Sequence, residues 1–299
     1  MNRRLLAVGL AVLVGVASIA AYSIYESNRQ VSTTSSLTGT ISTQSTHQSL
    51  STGRFSASTT TSKAVDYLLA NWDGKGTGLI AESPGSSTFW LYSDNFLATL
   101  ALNQYGRGNE TILTIAGDMS RSMNSDLALR HLNGAENQYA VLNASVPCRF
   151  HPSTSYTVDT PDGVKIKTTL NNGTGELSEA QYADIAFLKA VCLYRQANAT
   201  GAMTAYNAGS RMFDGVGFRD LPYNQTGQYQ TYKLALYIYT SAILRQPFFE
   251  AALSALLAMQ AQSGGFYTGY DASKSNDGTL TNTETTSLAI LALSNAPYV

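Results

Sequence analysis

The stretch LYSDNFLATLAL, residues 91–102, returns near the other end of the chain as TETTSLAILAL, residues 283–293. Each stretch follows a polar, Gly-rich segment, and two weaker copies of the same transition lie between them. Repetition at a period of about fifty residues is typical of folds whose units bury their apolar faces only against neighbouring units. We therefore predict a repetitive fold. The four copies occupy residues 76–105, 173–197, 215–244 and 264–295.

A second apolar segment with helical spacing precedes each of the four copies. The chain is therefore predicted to alternate helix, polar loop and helix. The helices that follow the loops are apolar on most of their circumference, so we expect them to lie inside, with the preceding helices as an outer layer. The preceding segments cover residues 63–71, 110–123, 202–213 and 248–262.

This pattern resembles the α/α-toroid group, which includes six-hairpin glycosidases, terpene cyclases and protein prenyltransferase subunits. The resemblance rests on QSGGF at residues 262–266, NWDG at residues 71–74 and DGVGF at residues 214–218, each followed by an apolar helix. It implies an all-α, toroid-like array of about four helical hairpins. Four hairpins are fewer than a closed six-hairpin ring contains. The resemblance therefore implies an incomplete ring, or one that partner subunits complete.

The segment of residues 124–172 interrupts the helical pattern. Residues 156–160 and 164–168 alternate polar with apolar or β-branched side chains around the turn sequence Pro161-Asp162-Gly163. This arrangement predicts a β-hairpin. We expect the insertion to occupy the loop before the second inner helix. It forms either the wall of a cleft or a surface ribbon.

The N-terminal part of the chain differs in composition from the rest. Residues 5–24 carry no charge and follow Arg3 and Arg4. An apolar helix of that length spans a bilayer with its basic end in the cytoplasm. We expect residues 1–30 to be an uncleaved, single-pass cell-membrane anchor, with a cleaved signal peptide as the alternative. The arrangement is similar to that of prokaryotic surface proteins, archaeal ones included.

The anchor is followed by a segment rich in Ser and Thr, residues 31–62. Twenty of its residues are Ser or Thr, and Arg54 is the only charged one. Such a segment has too little apolar surface to fold, so we predict a disordered stalk. Residues 63–299 then form the extracytoplasmic domain.

The net charge of −1 and the 13% of charged residues give no basic face for nucleic acid. The residues predict no metal site and no cofactor, and oligomerisation stays open. An oxidising exterior permits a disulfide between Cys148 and Cys192, with a buried free thiol at Cys192 as the alternative. Five glycosylation sequons agree with export. They are at Asn109, Asn143, Asn172, Asn198 and Asn224.

Acidic residues at the starts of the inner helices are the candidate catalytic groups. Asp94, Asp184 and Glu284 occur in the first, second and fourth copies, whereas the third copy has Tyr232 and neighbouring glutamines. Loops that open at one end of a toroid would bring these acids together. Glycoside hydrolysis needs two carboxyl groups, one to protonate the leaving oxygen and one to act on water or on the sugar. The alternative is that each acid only caps its helix.

Aromatic residues near these acids are candidates for stacking on sugar rings. Together with the resemblance, they imply a carbohydrate-active enzyme of the glycoside hydrolase kind that acts on a polysaccharide. The alternative is a non-catalytic surface protein that binds a glycan or a partner. Neither DxDD nor DDxxD occurs, which argues against a terpene cyclase. The candidate substrate-binding residues are Trp90, Tyr92, Tyr229, Tyr232, Phe266, Tyr267 and Tyr270.

Overall fold

The structure is a computed structural model that describes residues 51–86, 90–124, 137–159, 165–170, 173–276 and 278–295. The predicted anchor of residues 1–30 and residues 31–50 of the predicted stalk lie outside the described residues. Within the described ranges, no helix has both the length and the apolar character needed to cross a membrane.

The described part of the chain is mostly helical, which confirms the predicted helical class. Its helices are α1 (Ser51–Ala70), α2 (Tyr92–Tyr105), α3 (Glu110–Asn124), α4 (Ala183–Arg195), α5 (Ala199–Ser210), α6 (Leu221–Thr226), α7 (Thr231–Leu244), α8 (Glu250–Ala258) and α9 (Thr283–Asn295). A 3-10 helix covers Gln138–Leu142. The strands are β1 (Trp90–Leu91), β2 (Thr154–Asp159), β3 (Lys165–Leu170), β4 (Tyr229–Gln230), β5 (Phe266–Tyr267), β6 (Gly269–Tyr270) and β7 (Thr281–Asn282).

The four helices that follow the polar loops form the buried layer. Helix α2 packs beside α9, α9 beside α7, and α7 beside α4. The 3-10 helix contacts both α4 and α2, so it lies between the two ends of this row. On the outside, α3 packs on α2, α5 on α4, α8 on α7, and the N-terminal helix α1 on the C-terminal helix α9. The predicted division into inner and outer helices is therefore confirmed for these helices.

The predicted β-hairpin of the insertion is also confirmed. Strands β2 and β3 are antiparallel, with Thr154 opposite Leu170 and Asp159 opposite Lys165. Strand β1 extends this sheet by pairing in parallel with β3, which sets Leu91 opposite Lys167. Since β1 runs directly into α2, the insertion is joined to the start of an inner helix.

A disulfide between Cys148 and Cys192 ties the insertion to α4. The pairing decides between the two alternatives that the sequence leaves open for Cys192. It also brings together two segments that are 44 residues apart in the chain. The insertion is thus fixed at both ends of the buried row, by the disulfide to α4 and by β1 to α2.

The structure differs from the predicted stalk of residues 31–62, because α1 begins at Ser51. Thr60 and Thr61 are buried, and the side-chain amide of Gln260 donates to the carbonyl oxygen of Thr60 at 2.8 Å. Ser and Thr have weak helix propensity, but packing against neighbouring helices can supply the stability that propensity lacks. The folded part therefore begins before residue 63.

Candidate functional site

Equivalent positions at the starts of the inner helices carry the candidate acids. Asp184, Tyr232 and Glu284 are each the second residue of their helix, in α4, α7 and α9, and Asp94 is the third residue of α2. The hydroxyl of Tyr232 donates to Asp184 Oδ2 at 3.0 Å. The third copy, which lacks a carboxylate, thus supplies a hydrogen-bond donor to the carboxylate of the second copy.

Tyr139, in the 3-10 helix, connects the insertion to the candidate acids. Its hydroxyl donates to Glu284 Oε1 at 2.5 Å. Burial and the charges of Glu284 and Asp184 hold the pKa of Tyr139 well above its usual range. The side chain is 1% exposed. Tyr139 is therefore a neutral donor that lies within electrostatic reach of two of the three predicted acids.

Asp94, like Asp184, has one carboxyl oxygen without a hydrogen-bond partner among the described residues. Its side chain is 1% exposed, and Oδ2 has no hydrogen-bond partner among the described residues. The other oxygen, Oδ1, accepts a bond from the Ser93 hydroxyl at 3.3 Å. Burial, followed by the charges of Glu284 and Glu82, raises the pKa of Asp94 well above its ordinary value. Burial and the neighbouring negative charges thus favour the protonated form of Asp94.

Glu284 and Asp184 are perturbed less strongly. Burial raises the pKa of Glu284 to about 7, with a contribution from the charges of Glu82 and Asp184, while the Tyr139 hydrogen bond opposes the rise. Burial also raises the pKa of Asp184, but the charge of Lys233 and the Tyr232 hydrogen bond act against it. The acids therefore differ in their tendency to hold a proton.

Glu82 acts electrostatically on Asp94 and Glu284. We refer to Glu82, Asp94, Asp184 and Glu284 together as the acid cluster. The carbonyl oxygen of Glu82 accepts the backbone N–H of Thr283 at 2.8 Å, which fixes its loop to the start of α9. Burial raises the pKa of Glu82, whereas the charge of Lys167 on β3 lowers it. The structure thus brings the three predicted acids into one electrostatic neighbourhood and adds a fourth.

Tyr139, Glu82 and Lys167 were not among the residues singled out from the sequence. Tyr139 lies in the apolar run YAVL, and Lys167 alternates with apolar residues in a strand. Neither context distinguishes a residue at a site from an ordinary buried or solvent-facing one. The sequence signal that could have pointed to Tyr139 and Lys167 is that the insertion precedes an inner helix whose start carries a candidate acid.

The predicted aromatic residues are mostly buried. Tyr229 and Tyr270 stack with their ring centroids 5.3 Å apart. A buried ring presents no face on which a sugar can stack, so these rings contribute to packing in this conformation. Tyr267 is partly exposed, and the side chain of Trp90 lies outside the described ones. The predicted residues that are no more than 5% exposed are Tyr92, Tyr229, Tyr232, Phe266 and Tyr270.

The described sequon asparagines are all exposed, as glycosylation requires. Two of them also cap helices: Asn109 Oδ1 accepts the N–H of Ile112 at 3.2 Å, and Asn198 Oδ1 accepts that of Gly201 at 2.9 Å. Asn172 lies outside the described residues. The exposed asparagines are Asn109, Asn143, Asn198 and Asn224.

No group of three or more His, Cys, Asp or Glu side chains that could hold a metal ion is found in the part of the chain that the structure describes. In comparisons with known proteins, no family model matches this chain, and no curated protein or solved structure matches it. The function must therefore be inferred from the acid cluster itself.

Proposed function

We propose that this chain is an extracytoplasmic, carbohydrate-active enzyme that cleaves a glycosidic bond with the carboxyl groups of Asp94, Asp184 and Glu284. One observation supports this proposal above all others. Acids from three distant segments are linked electrostatically: the charge of Glu284 raises the pKa of Asp94, and the charge of Asp184 raises that of Glu284. Acid–base hydrolysis needs such a set, because one carboxyl group must hold a proton while another is charged.

The environments of the acids suggest their roles. Asp94, whose pKa is raised most strongly by burial and by Glu284, would protonate the leaving oxygen. Asp184, which has the Lys233 charge and the Tyr232 donor beside it, would act in its charged form on water or on the sugar. Glu284 would control how firmly Asp94 holds its proton, because its charge raises the pKa of Asp94 and its own pKa of about 7 allows both protonation states near neutral pH.

A toroid-like arrangement of the helices is part of the proposal, as the resemblance to α/α-toroid proteins implies. The row α2, α9, α7 and α4 with its outer helices is compatible with such a ring. The 3-10 helix, which contacts both α4 and α2, would bridge the gap that four hairpins leave. No partner subunit would then be needed to complete the wall.

The proposed location is the outer face of the cell membrane, with the N-terminal segment as a single-pass anchor. The Cys148–Cys192 disulfide supports an oxidising compartment, since disulfides are rare in the cytosol of most organisms. The exposed sequons agree with it.

A non-catalytic glycan- or partner-binding protein is the second candidate. Its support is the burial of two members of the cluster, Asp94 at 1% and Asp184 at 6% exposed, although Glu82 and Glu284 are half-buried. A substrate must reach the acid that protonates it, so catalysis requires a conformation in which these groups are accessible. A binding protein could keep the acids buried for a structural purpose.

A screen of neutral and acidic polysaccharides with the full chain tests the proposal. Asp94→Asn is expected to reduce hydrolysis by about 10²–10⁴-fold, because proton transfer by a positioned acid contributes that much. Asp66→Asn, which changes an exposed aspartate on α1, serves as the control and should retain activity. Activity that survives Asp94→Asn would remove Asp94 from the mechanism. Binding without hydrolysis by the unmodified chain would favour the second candidate.

A further inference from the structure

A buried ion pair lies beside the acid cluster, and the proposed hydrolysis does not assign it a step. Lys233, the third residue of α7, contacts Asp220 Oδ2, and each side chain is 1% exposed. Burying two charges costs several kcal/mol per ion before their attraction is counted, and the gain often fails to exceed that cost. A pair in this position therefore calls for an explanation other than stability.

Asp220 fixes the backbone on which Asp184 stands. Its Oδ2 accepts the N–H of Ala183 at 3.1 Å, and Ala183 directly precedes Asp184. The adjacent backbone reinforces this contact, since the N–H of Leu221 donates to the carbonyl oxygen of Gln181 at 2.9 Å. The start of α4 is thus held in place by Asp220 and its neighbour.

Lys233, on α7, is connected to Asp184 through its neighbour Tyr232. Its ammonium nitrogen is 5.7 Å from the centre of the Tyr232 ring, and the Tyr232 hydroxyl donates to Asp184 Oδ2. The fixed positive charge of Lys233 favours the charged form of Asp184, while the negative charge of Asp220 opposes it. The two members of the pair therefore act on Asp184 with opposite sign.

We propose that Lys233 and Asp220 form a positioning pair for Asp184, in which Asp220 fixes the start of α4 and Lys233 supplies the positive charge beside the carboxylate. The inference rests on the proposed function and extends it, because it explains how the charged form of Asp184 is favoured for its role as base or nucleophile. Neither member of the pair is proposed to touch the substrate.

The protonation of Asp184 depends on groups from several elements. Substituting any of these groups would change the titration of Asp184. The groups are Lys233 and Tyr232 on α7, Asp220 before α6, Tyr139 on the 3-10 helix, Glu284 on α9 and Tyr182 before α4.

The test is a carbon-13 NMR titration of the Asp184 carboxyl in the full chain, assigned by its loss in Asp184→Asn. Lys233→Met is expected to raise the midpoint by about one pH unit or more, a tenfold change in proton affinity. Asp220→Asn is expected to lower it, because Lys233 then acts unopposed. Lys189→Met is the matched control: it removes another lysine that pairs with an acid near α4, at 3.1 Å from Glu179, and should leave the midpoint unchanged.

The double variant Asp220→Asn with Lys233→Met covers the case in which a single variant does not fold, since it leaves no unpaired buried charge. Its midpoint should still rise, because the effect of Lys233 exceeds that of Asp220. An unchanged midpoint in the folded double variant, or shifts of equal sign in the two single variants, would overturn the proposal. The titration reads Asp184 directly, so a wild-type chain that hydrolyses no glycan would defeat the proposed function and leave this result standing.

Discussion

Asp94, at the start of the inner helix α2, and Asp214, in the loop that precedes the inner helix α7, are carboxylates with opposite surroundings. Asp214 Oδ1 accepts the N–H groups of Val216 and Gly217 at 2.9 and 3.0 Å, and Oδ2 accepts the Tyr229 hydroxyl at 2.5 Å. Partial burial opposes ionisation, but these donors and Arg219 hold the pKa of Asp214 below its usual value. Asp94 has one described donor and a strongly raised pKa.

Asp214 therefore stabilises the fold, whereas Asp94 destabilises it. Every oxygen of Asp214 has a partner, so its charge contributes to stability. The unpaired Oδ2 of Asp94 costs about 1–3 kcal/mol, which a hydrophobic residue would avoid. Natural proteins tolerate such a cost at functional positions, where activity and stability conflict.

Releasing the insertion from α4 should have the largest effect on the stability of the chain. It should affect the acid cluster more than the Asp214 loop, because Tyr139 of the insertion donates to Glu284, whereas no described hydrogen bond joins the insertion to Asp214. Cys148→Ser with Cys192→Ser opens a loop of 44 residues. The free energy of unfolding should fall by about 4 kcal/mol, measured by urea denaturation under oxidising conditions. A loss below about 1 kcal/mol would show that the disulfide does not constrain the unfolded chain as expected.

The sequence predicts the helical repeat and the candidate acids because both depend on local pattern. Apolar spacing identifies an inner helix, and an acid at its start is visible beside it, as at Glu284. The partners of these acids depend on distant contacts. Tyr139 is 145 residues from Glu284, and no local pattern links them.

Two other features could not be predicted from the sequence, for related reasons. Lys233 interrupts an apolar helix in which a lysine would normally mark the solvent side, so its burial follows only from pairing with Asp220. Helix α1 extends into the Ser/Thr-rich segment because tertiary packing outweighs weak propensity there. In both cases the deciding interaction comes from outside the segment.

The second prediction concerns the pH dependence of stability. The pKa of Glu284 is about 7 in the folded chain, above its usual value near 4.5, so the folded state binds more protons between these values. Stability must then fall as pH rises through this window, by roughly 3 kcal/mol from this group. Glu284→Gln should flatten the curve of unfolding free energy against pH.

Glu250 offers the matched control, since it is an exposed glutamate in the first turn of α8. Glu250→Gln should leave the slope between pH 4.5 and 7 as in the unmodified chain. An equal slope in the Glu284→Gln variant would show that another group of the cluster binds the proton.

The third prediction contrasts the two aspartates directly. Asp94→Asn keeps the shape of the side chain and removes a buried group that resists ionisation, so it should raise the unfolding free energy at pH 8 by about 1–2 kcal/mol. Asp214→Asn loses the charge that accepts from Tyr229 and pairs with Arg219, and should lower it by about 1–2 kcal/mol. Chemical denaturation of both variants at pH 8 measures the difference. If the unfolding free energy changed with the same sign in both variants, Asp94 and Asp214 would not differ in their effect on stability.

The smallest effect is expected from the two tyrosines that donate to these regions. Tyr139→Phe removes the donor to Glu284, which is charged only at high pH, so the cost of about 1 kcal/mol should be larger at pH 8 than at pH 5. Tyr229→Phe removes the donor to Asp214, whose lowered pKa keeps it charged at both pH values. Its cost, of similar size, should therefore be the same at pH 5 and pH 8. An equal cost of Tyr139→Phe at the two pH values would mean that Glu284 does not change its charge between them.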